Sequence, residues 1–160
     1  MAIVVETGAG LTNSNSYVTE AEVTAYASDR GVTLTETVSV LIYKAMDYLQ
    51  TLDYIGTKYS EEQALLWPRD GVYIDGYYIE RSTIPQELKN GQMLLCMSID
   101  AGVDPMTSLT RATKKEKLDT LEVEYMDNAA TRTLITSVDN TLKKLLASGN
   151  NGLSFNVFRA

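Results

Sequence analysis

The chain contains no histidine, a single cysteine, one tryptophan, two phenylalanines and three prolines among its 160 residues. Without histidine it lacks the usual general base near neutral pH, the usual partner of a serine or cysteine nucleophile, and the commonest metal ligand. Most familiar hydrolase and zinc chemistries are thereby excluded. Cys96, being alone, forms no intramolecular disulfide, so the fold needs no oxidising compartment. No apolar stretch is long enough to span a bilayer, and no basic start leads into an apolar run, so a soluble protein is expected. Basic residues are scarce too: 14 Lys and Arg against 21 Asp and Glu leave a net charge of −7. A chain of this length makes one domain, which buries roughly 70% of the surface its unfolded form exposes, so no disulfide or metal is needed to complete a core.

The charge is unevenly spread. Residues 1–110 carry 6 basic and 15 acidic groups, whereas residues 111–160 carry 8 basic and 6 acidic groups. Nucleic-acid binding through the backbone needs Lys and Arg to replace condensed counterions, and an acidic body opposes this unless a basic stripe is segregated from it. The candidate stripe is Arg111, Lys114, Lys115 and Lys117, a run that also reads as an ordinary solvated face. There is no low-complexity segment, domain linker or internal repeat. The joint Gly149-Asn150-Asn151-Gly152 separates a body, residues 1–148, from a C-terminal tail.

Capping and periodicity give a coarse outline. Ile3-Val4-Val5 reads as a short strand or arm, followed by a turn-rich loop. Thr19 with Glu22 forms a capping box and Gly31 a left-handed stop, which predicts a helix over 19–30. Thr33 with Glu36 repeats the box, and Val38, Leu41, Ile42, Ala45, Leu49 and Leu52 recur at helical spacing, predicting a helix over 34–53. Ser60 with Gln63 suggests a short helix that Pro68 terminates. Asp75-Gly76 between Val72-Tyr73-Ile74 and Tyr77-Tyr78-Ile79 suits the tight turn of a small hairpin, with an irregular loop as the alternative.

Pro85, with Thr83 and Gln86, opens a helix that ends at Gly102, and Gly91 within it reads as a site where another backbone approaches closely. Leu118, Leu121, Val123 and Tyr125 are spaced for a strand, with Arg111–Lys117 as its polar partner in an exposed hairpin over about 109–125. Leu134, Ile135, Val138, Leu142, Leu145 and Leu146 predict a last helix over about 130–147. The expectation is a mainly α domain of four to five helices with a small β-hairpin insertion and an extended tail over 149–160.

Leu153-Ser154-Phe155-Asn156-Val157 alternates apolar and polar residues, and both phenylalanines, Phe155 and Phe158, lie in this tail. So short a segment cannot bury its own apolar face. Either it adds as a strand to a neighbouring protein, with Leu153, Phe155 and Val157 filling pockets, or it folds back on its own domain. Cys96, among Leu94, Leu95, Met97 and Ile99, reads as a buried small hydrophobe. No spacing matches a calcium loop or zinc cluster, and Gly8-Ala9-Gly10 lacks the phosphate-loop lysine, so no metal, cofactor or catalytic residue is expected. Tyr43, Tyr48, Tyr54, Tyr59, Tyr73, Tyr77 and Tyr78 read as amphipathic packing at element ends. Base stacking is the sharper alternative, and it requires interleaved basic residues that these acidic surroundings lack.

The run Gln63-Ala64-Leu65-Leu66-Trp67-Pro68-Arg69-Asp70-Gly71-Val72, with Asp75-Gly76 and Ile84-Pro85, resembles a family of small tailed-bacteriophage proteins. These are head-to-tail adaptor, or head completion, proteins, also labelled DnaT-like single-stranded-DNA-binding proteins. The resemblance extends over Ser16-Tyr17-Val18, Arg30-Gly31, Ala45-Met46-Asp47-Tyr48-Leu49, Gly56-Thr57-Lys58, Glu122-Val123-Glu124-Tyr125 and Phe158-Arg159. Asn90-Gly91 departs from it, at a position where alanine-like helix formers are expected.

The resemblance implies a non-enzymatic virion subunit of the neck, made in the host cytoplasm. Such a subunit assembles as a ring of twelve copies beneath the portal protein and links the head to tail, stopper or tail-terminator proteins. DNA passes through the ring without specific binding, and no membrane is involved. In this picture Leu153, Phe155, Val157, Phe158 and Arg159 bind the portal, and Arg111, Lys114, Lys115 and Lys117 form an assembly hairpin. Trp67, Pro68, Arg69 and Gly71 form a structural corner: Pro68 stops a helix, Trp67 enters the core, and Arg69 pairs with a carboxylate or with terminal carbonyls. The alternative implied function is single-stranded-DNA binding in replication.

Overall fold

The computed structural model describes residues 2–106 and 135–147, together with the backbone pairing of 115–118 and 121–124. Within them lie four helices, α1 (Glu20–Ser28), α2 (Val38–Leu49), α3 (Gln86–Asp100) and α4 (Thr136–Leu142). Three two-stranded antiparallel pairs accompany them: β1 (Thr57–Lys58) with β2 (Arg69–Asp70), β3 (Val72–Ile74) with β4 (Tyr77–Ile79), and β5 (Lys115–Leu118) with β6 (Leu121–Glu124). The fold is mainly α with small β elements, as expected. The central helix is α3, which packs against α1, α2 and α4.

α1 forms where its caps predict it. Thr19 Oγ1 accepts from the Glu22 N–H, while the Glu22 carboxylate accepts from the Thr19 N–H at 2.7 Å. Beyond it Gly31 adopts φ +69°, and the Val32 N–H reaches the Ala27 carbonyl, closing the last turn. α2 buries Leu41, Ile42, Ala45, Met46, Tyr48 and Leu49, the stripe that its periodicity requires.

α2 is shorter than the predicted 34–53, and the second capping box does not form. The backbone N–H groups of Thr35 and Glu36 donate instead to the Asp100 carboxylate at the end of α3, at 2.8–3.0 Å, and the Glu36 side chain pairs with Lys44 at 2.8 Å. A carboxylate supplied from 64 and 65 residues away has displaced the local cap. At α3, Pro85 occupies the N-cap position, not the first helical turn, and Thr83 and Gln86 supply no side-chain cap.

The helix expected between Ser60 and Pro68 is absent. Half of its capping box survives, since the Ser60 N–H donates to Gln63 Oε1 at 2.8 Å. The Ala64 N–H, which a helix would direct to Ser60, donates instead to the Leu11 carbonyl at 2.9 Å. Gln63 Nε2 is engaged by the Leu65 and Pro68 carbonyls. Contacts with the N-terminal loop and the corner thus satisfy groups that the helix needed.

α4 is also shorter than predicted; residues 130–134 lie outside the described residues. Its C-terminal limit has a clear cause. The Leu145 carbonyl accepts from the Ile55 N–H, the Ala147 N–H donates to the Asp53 carbonyl, and Leu146 bridges Tyr54 antiparallel. The chain leaves the helix because its backbone pairs with 53–55. Ile135, Val138, Leu142, Leu145 and Leu146 are nevertheless buried, as predicted.

Gly91 on α3 faces α4. A Cβ there would lie 2.5 Å from Leu142 Cδ2, so the close approach is by a side chain and not by the backbone that the sequence suggested. Gly91→Ala gains up to ~1 kcal/mol of helix propensity, but overpacking a filled core costs about 1–3 kcal/mol. Leu142 is fully buried, so the overpacking term should win: chemical denaturation is expected to show a lower midpoint for Gly91→Ala, and the pair Gly91→Ala with Leu142→Ala should cost less than the sum of the two single changes.

Hydrogen bonds from the Glu36 and Thr35 N–H groups hold the Asp100 carboxyl below its ordinary pKa. A depressed folded-state pKa contributes stability that is present above the unfolded value and is lost as pH falls through the folded one. Urea titrations should therefore show an acid-side loss below about pH 4 that Asp100→Asn diminishes, alongside a lower midpoint for that variant at neutral pH.

Candidate interaction surface around the Trp-Pro-Arg corner

Trp67 is fully buried and meets the Tyr54 ring edge-on, with centroids 6.1 Å apart. The Trp67 backbone N–H donates to the Tyr17 hydroxyl at 3.2 Å, and burial raises the pKa of that hydroxyl. Tyr17 in turn donates its backbone N–H to Gln92 Oε1 on α3, and Gln92 Nε2 donates to Ser16 Oγ. The corner is thereby tied to the segment before α1 and to the central helix. Pro68 follows Trp67 through a cis peptide bond.

Arg69 reads the corner most directly. Its Nε donates to the Ile55 carbonyl at 2.7 Å, Nη1 to Leu66 at 3.2 Å, and Nη2 to Tyr54 at 3.2 Å and Gly56 at 2.7 Å. Of the two partners the sequence allows, carbonyls and not a carboxylate receive the guanidinium. Desolvation lowers its pKa. Gly71, with φ +71°, leads from β2 into β3.

Beyond the corner, β3 and β4 form the hairpin that Asp75-Gly76 suggests. The register pairs Val72 with Ile79, Tyr73 with Tyr78 and Ile74 with Tyr77, and the turn residues take φ +53° and +85°. Alternation sends Val72 and Ile74 into the core and Tyr73 and Tyr78 outward, their rings 5.4 Å apart. Tyr73, Tyr77 and Tyr78 are 62%, 77% and 45% exposed.

The tyrosines therefore do not share one role. Tyr48 and Tyr54 are core residues, whereas Tyr59, Tyr73, Tyr77 and Tyr78 make up four of the seven exposed large apolar side chains among the described residues. The position of Tyr73 and Tyr78, each three residues from the facing side of the Asp75-Gly76 turn, was legible in the sequence and indicates a shared face.

The surroundings of these rings carry charges of both signs. The Tyr78 hydroxyl donates to the Asp70 carboxylate at 2.7 Å, which lowers the Asp70 pKa and raises that of Tyr78. Asp75 pairs with Lys144 of the segment after α4 at 2.6 Å. Arg81 lies over the Tyr59 ring, 5.4 Å from its centroid.

Arg111 and Lys114 fall outside the described residues. β5 places Lys115 opposite Glu124 and Lys117 opposite Glu122, so the register matches each of these cations with a carboxylate position. Leu118 belongs to the first strand of this hairpin, not the second. Leu153, Phe155, Val157, Phe158 and Arg159 lie outside the described residues.

Another feature escaped sequence reading. Glu6 is 1% exposed, and its carboxylate accepts from the N–H groups of Gly8, Gly10 and Leu11 and from Ser14 Oγ, at 2.8–3.1 Å. It organises the N-terminal loop that meets Ala64. Cys96 is fully buried, and burial pushes its thiol up to about 12, as suits a small core hydrophobe. Among the described residues, no group of three or more Cys, Asp or Glu is placed to hold a metal ion, and no helix is long and apolar enough to cross a membrane.

A mainly α domain with small hairpins and a tyrosine-bearing surface defines a broad class of protein. A family model described as "Putative DnaT-like ssDNA binding protein" matches residues 1–160, and the chain belongs to that family. No curated protein and no solved structure matches the chain.

Replacing Arg69 tests the corner. Lysine keeps the charge but cannot fork to four carbonyls, so Arg69→Lys is expected to lose ~1–3 kcal/mol of stability by denaturant titration. A variant as stable as the parent would show that the four hydrogen bonds contribute nothing net.

Proposed function

We propose that this protein is a non-enzymatic structural subunit of a bacteriophage virion, a head-to-tail adaptor that assembles as a ring beneath the portal and joins it to the tail or stopper proteins. The observation that carries this reading is the exposed tyrosine face of the β3–β4 hairpin, bordered by Asp70, Asp75 and Glu80. Tyrosine supplies large contact area with a polar tip and is enriched at protein interfaces. Carboxylates beside it favour a protein partner over a phosphate backbone. The acidic body suits the wall of a DNA conduit, since it repels phosphates and lets DNA slide. The resemblance of the Trp-Pro-Arg run and the alternating tail support the same reading, with Leu153, Phe155, Val157, Phe158 and Arg159 engaging the portal.

The second reading is single-stranded-DNA binding, and the family description speaks for it directly, whereas that description says nothing of an adaptor. Tyr73 and Tyr78, side by side and exposed, are the groups on which bases would stack.

Two measurements separate the readings. Mass photometry of the full chain with purified portal should give rings on the portal, and Phe155→Ser with Val157→Ser should weaken that association; no binding would count against the adaptor. Titration of a labelled oligonucleotide should show no affinity at low or moderate salt. Binding that weakens steeply as salt rises, and that Tyr73→Ser with Tyr78→Ser reduces, would establish the second reading instead.

A further inference from the structure

Glu6 is a buried acid on a loop, 1% exposed, and the groups around it have the geometry of a receptor. Oε1 accepts from the Gly8 N–H at 2.8 Å and the Gly10 N–H at 3.0 Å, while Oε2 accepts from the Leu11 N–H at 2.8 Å and from Ser14 Oγ at 3.1 Å. Two donors on each oxygen suit a carboxylate. A carboxamide has one acceptor oxygen, so its NH2 would face backbone N–H groups on the other side. The cradle itself is backbone: Gly8 and Gly10 take φ +103° and +71°, and a turn of this kind aims nearby N–H groups at one anion.

Both flanks of the cradle are anchored beyond it. The Glu6 N–H donates to the Ser16 carbonyl at 2.8 Å and the Asn15 N–H to the Val4 carbonyl at 2.9 Å, which hold the stalk that carries the carboxylate. On the other side the Leu11 carbonyl accepts from the Ala64 N–H at 2.9 Å. A Cβ on Gly10 would lie 3.1 Å from Tyr59 Cδ1, and one on Gly8 would run into the Ser82 carbonyl oxygen. Arg81, beside Ser82 and just beyond β4, lies over that same Tyr59 ring.

From the four convergent donors and these contacts, we infer that loop 8–14 is a receptor for one short carboxylate, which Glu6 fills from within the chain, and that its occupation seats Tyr59 and Arg81. The site recognises the anion and not the covalent link to it. Once the Glu6 side chain is cut back to its Cβ, free acetate, which has the two carbons and two oxygens removed, takes the same four donors. The inference stands apart from both readings of the tyrosine face.

The test reads equilibrium urea midpoints of the full chain. Glu6→Ala should lower the midpoint, and acetate should raise it again with the logarithm of concentration, as a ligand of the folded state does. Chloride at equal ionic strength and acetamide at equal concentration should not, and butyrate, two methylenes longer, should do so less than acetate. Acetate should leave the parent and Glu6→Gln, whose cradles are already filled, where they were. In Glu6→Ala it should also return the amide signals of residues 59–64, 81 and 82 toward their parent positions. Glu6→Gln keeps the shape of the side chain, and it should speed amide hydrogen exchange at Leu11 or at both Gly8 and Gly10, according to the side its nitrogen faces. That measurement decides alone if Glu6→Ala does not fold. Three results overturn the inference: no acetate response in folded Glu6→Ala, an equal response in all three chains, or exchange of Gly8, Gly10 and Leu11 unchanged in Glu6→Gln.

Discussion

The fork of Arg69 holds together parts of the chain that no regular element joins. Its donors converge on the carbonyls of Tyr54, Ile55, Gly56 and Leu66, fixing the strand-like stretch after α2 against the Trp67 corner. That same stretch receives the end of α4, through Ile55 to Leu145 and Ala147 to Asp53. A typical hydrogen bond contributes about 0.5–1.5 kcal/mol net, and one half-buried side chain makes four of them here, that to Gly56 at the exposed surface. The corner therefore positions both the departure of the β3–β4 hairpin and the stretch 145–147 after α4.

Around that point the polar interior is arranged as a hydrogen-bonded relay. Tyr17 links Trp67 to Gln92, Gln92 reaches Ser16, and Gln63 bridges Leu65 and Pro68. Each of these hydrogen bonds ends on backbone or on a neighbouring side chain, which rigidifies the surface above them. The result is a firm base for a hairpin whose outer face is aromatic and whose border sets Asp70 and Asp75 beside Arg81 and Lys144. Two uses compete for those tyrosines: protein contact and, by the description of the family, base stacking.

Much of the helical framework was legible because it depends on local chemistry. The Thr19–Glu22 box, the Gly31 stop and the stripe of α2 involve groups within a few residues of one another, so composition and spacing suffice. The Asp75-Gly76 turn was legible for the same reason, and it fixed the pairing of Tyr73 with Tyr78. The Thr33–Glu36 and Ser60–Gln63 boxes were equally good local signals, yet Asp100 and Leu11 supplied competing partners from far along the chain. A capping box contributes only about 1 kcal/mol, which a buried or charge-assisted long-range hydrogen bond can exceed.

The sequence by itself determined the fold class and the apolar faces of the helices, and it offered the β3–β4 hairpin beside an irregular loop. Tertiary structure alone decided that Glu6 is a buried loop organiser, that Arg69 serves carbonyls, that Gly91 receives Leu142, and that the tyrosines divide between core and surface. The division follows from range. Spacing encodes which groups can satisfy each other along a few residues, but whether a polar group finds its partner far along the chain, or a ring finds cover, depends on which surfaces the packed helices bring together.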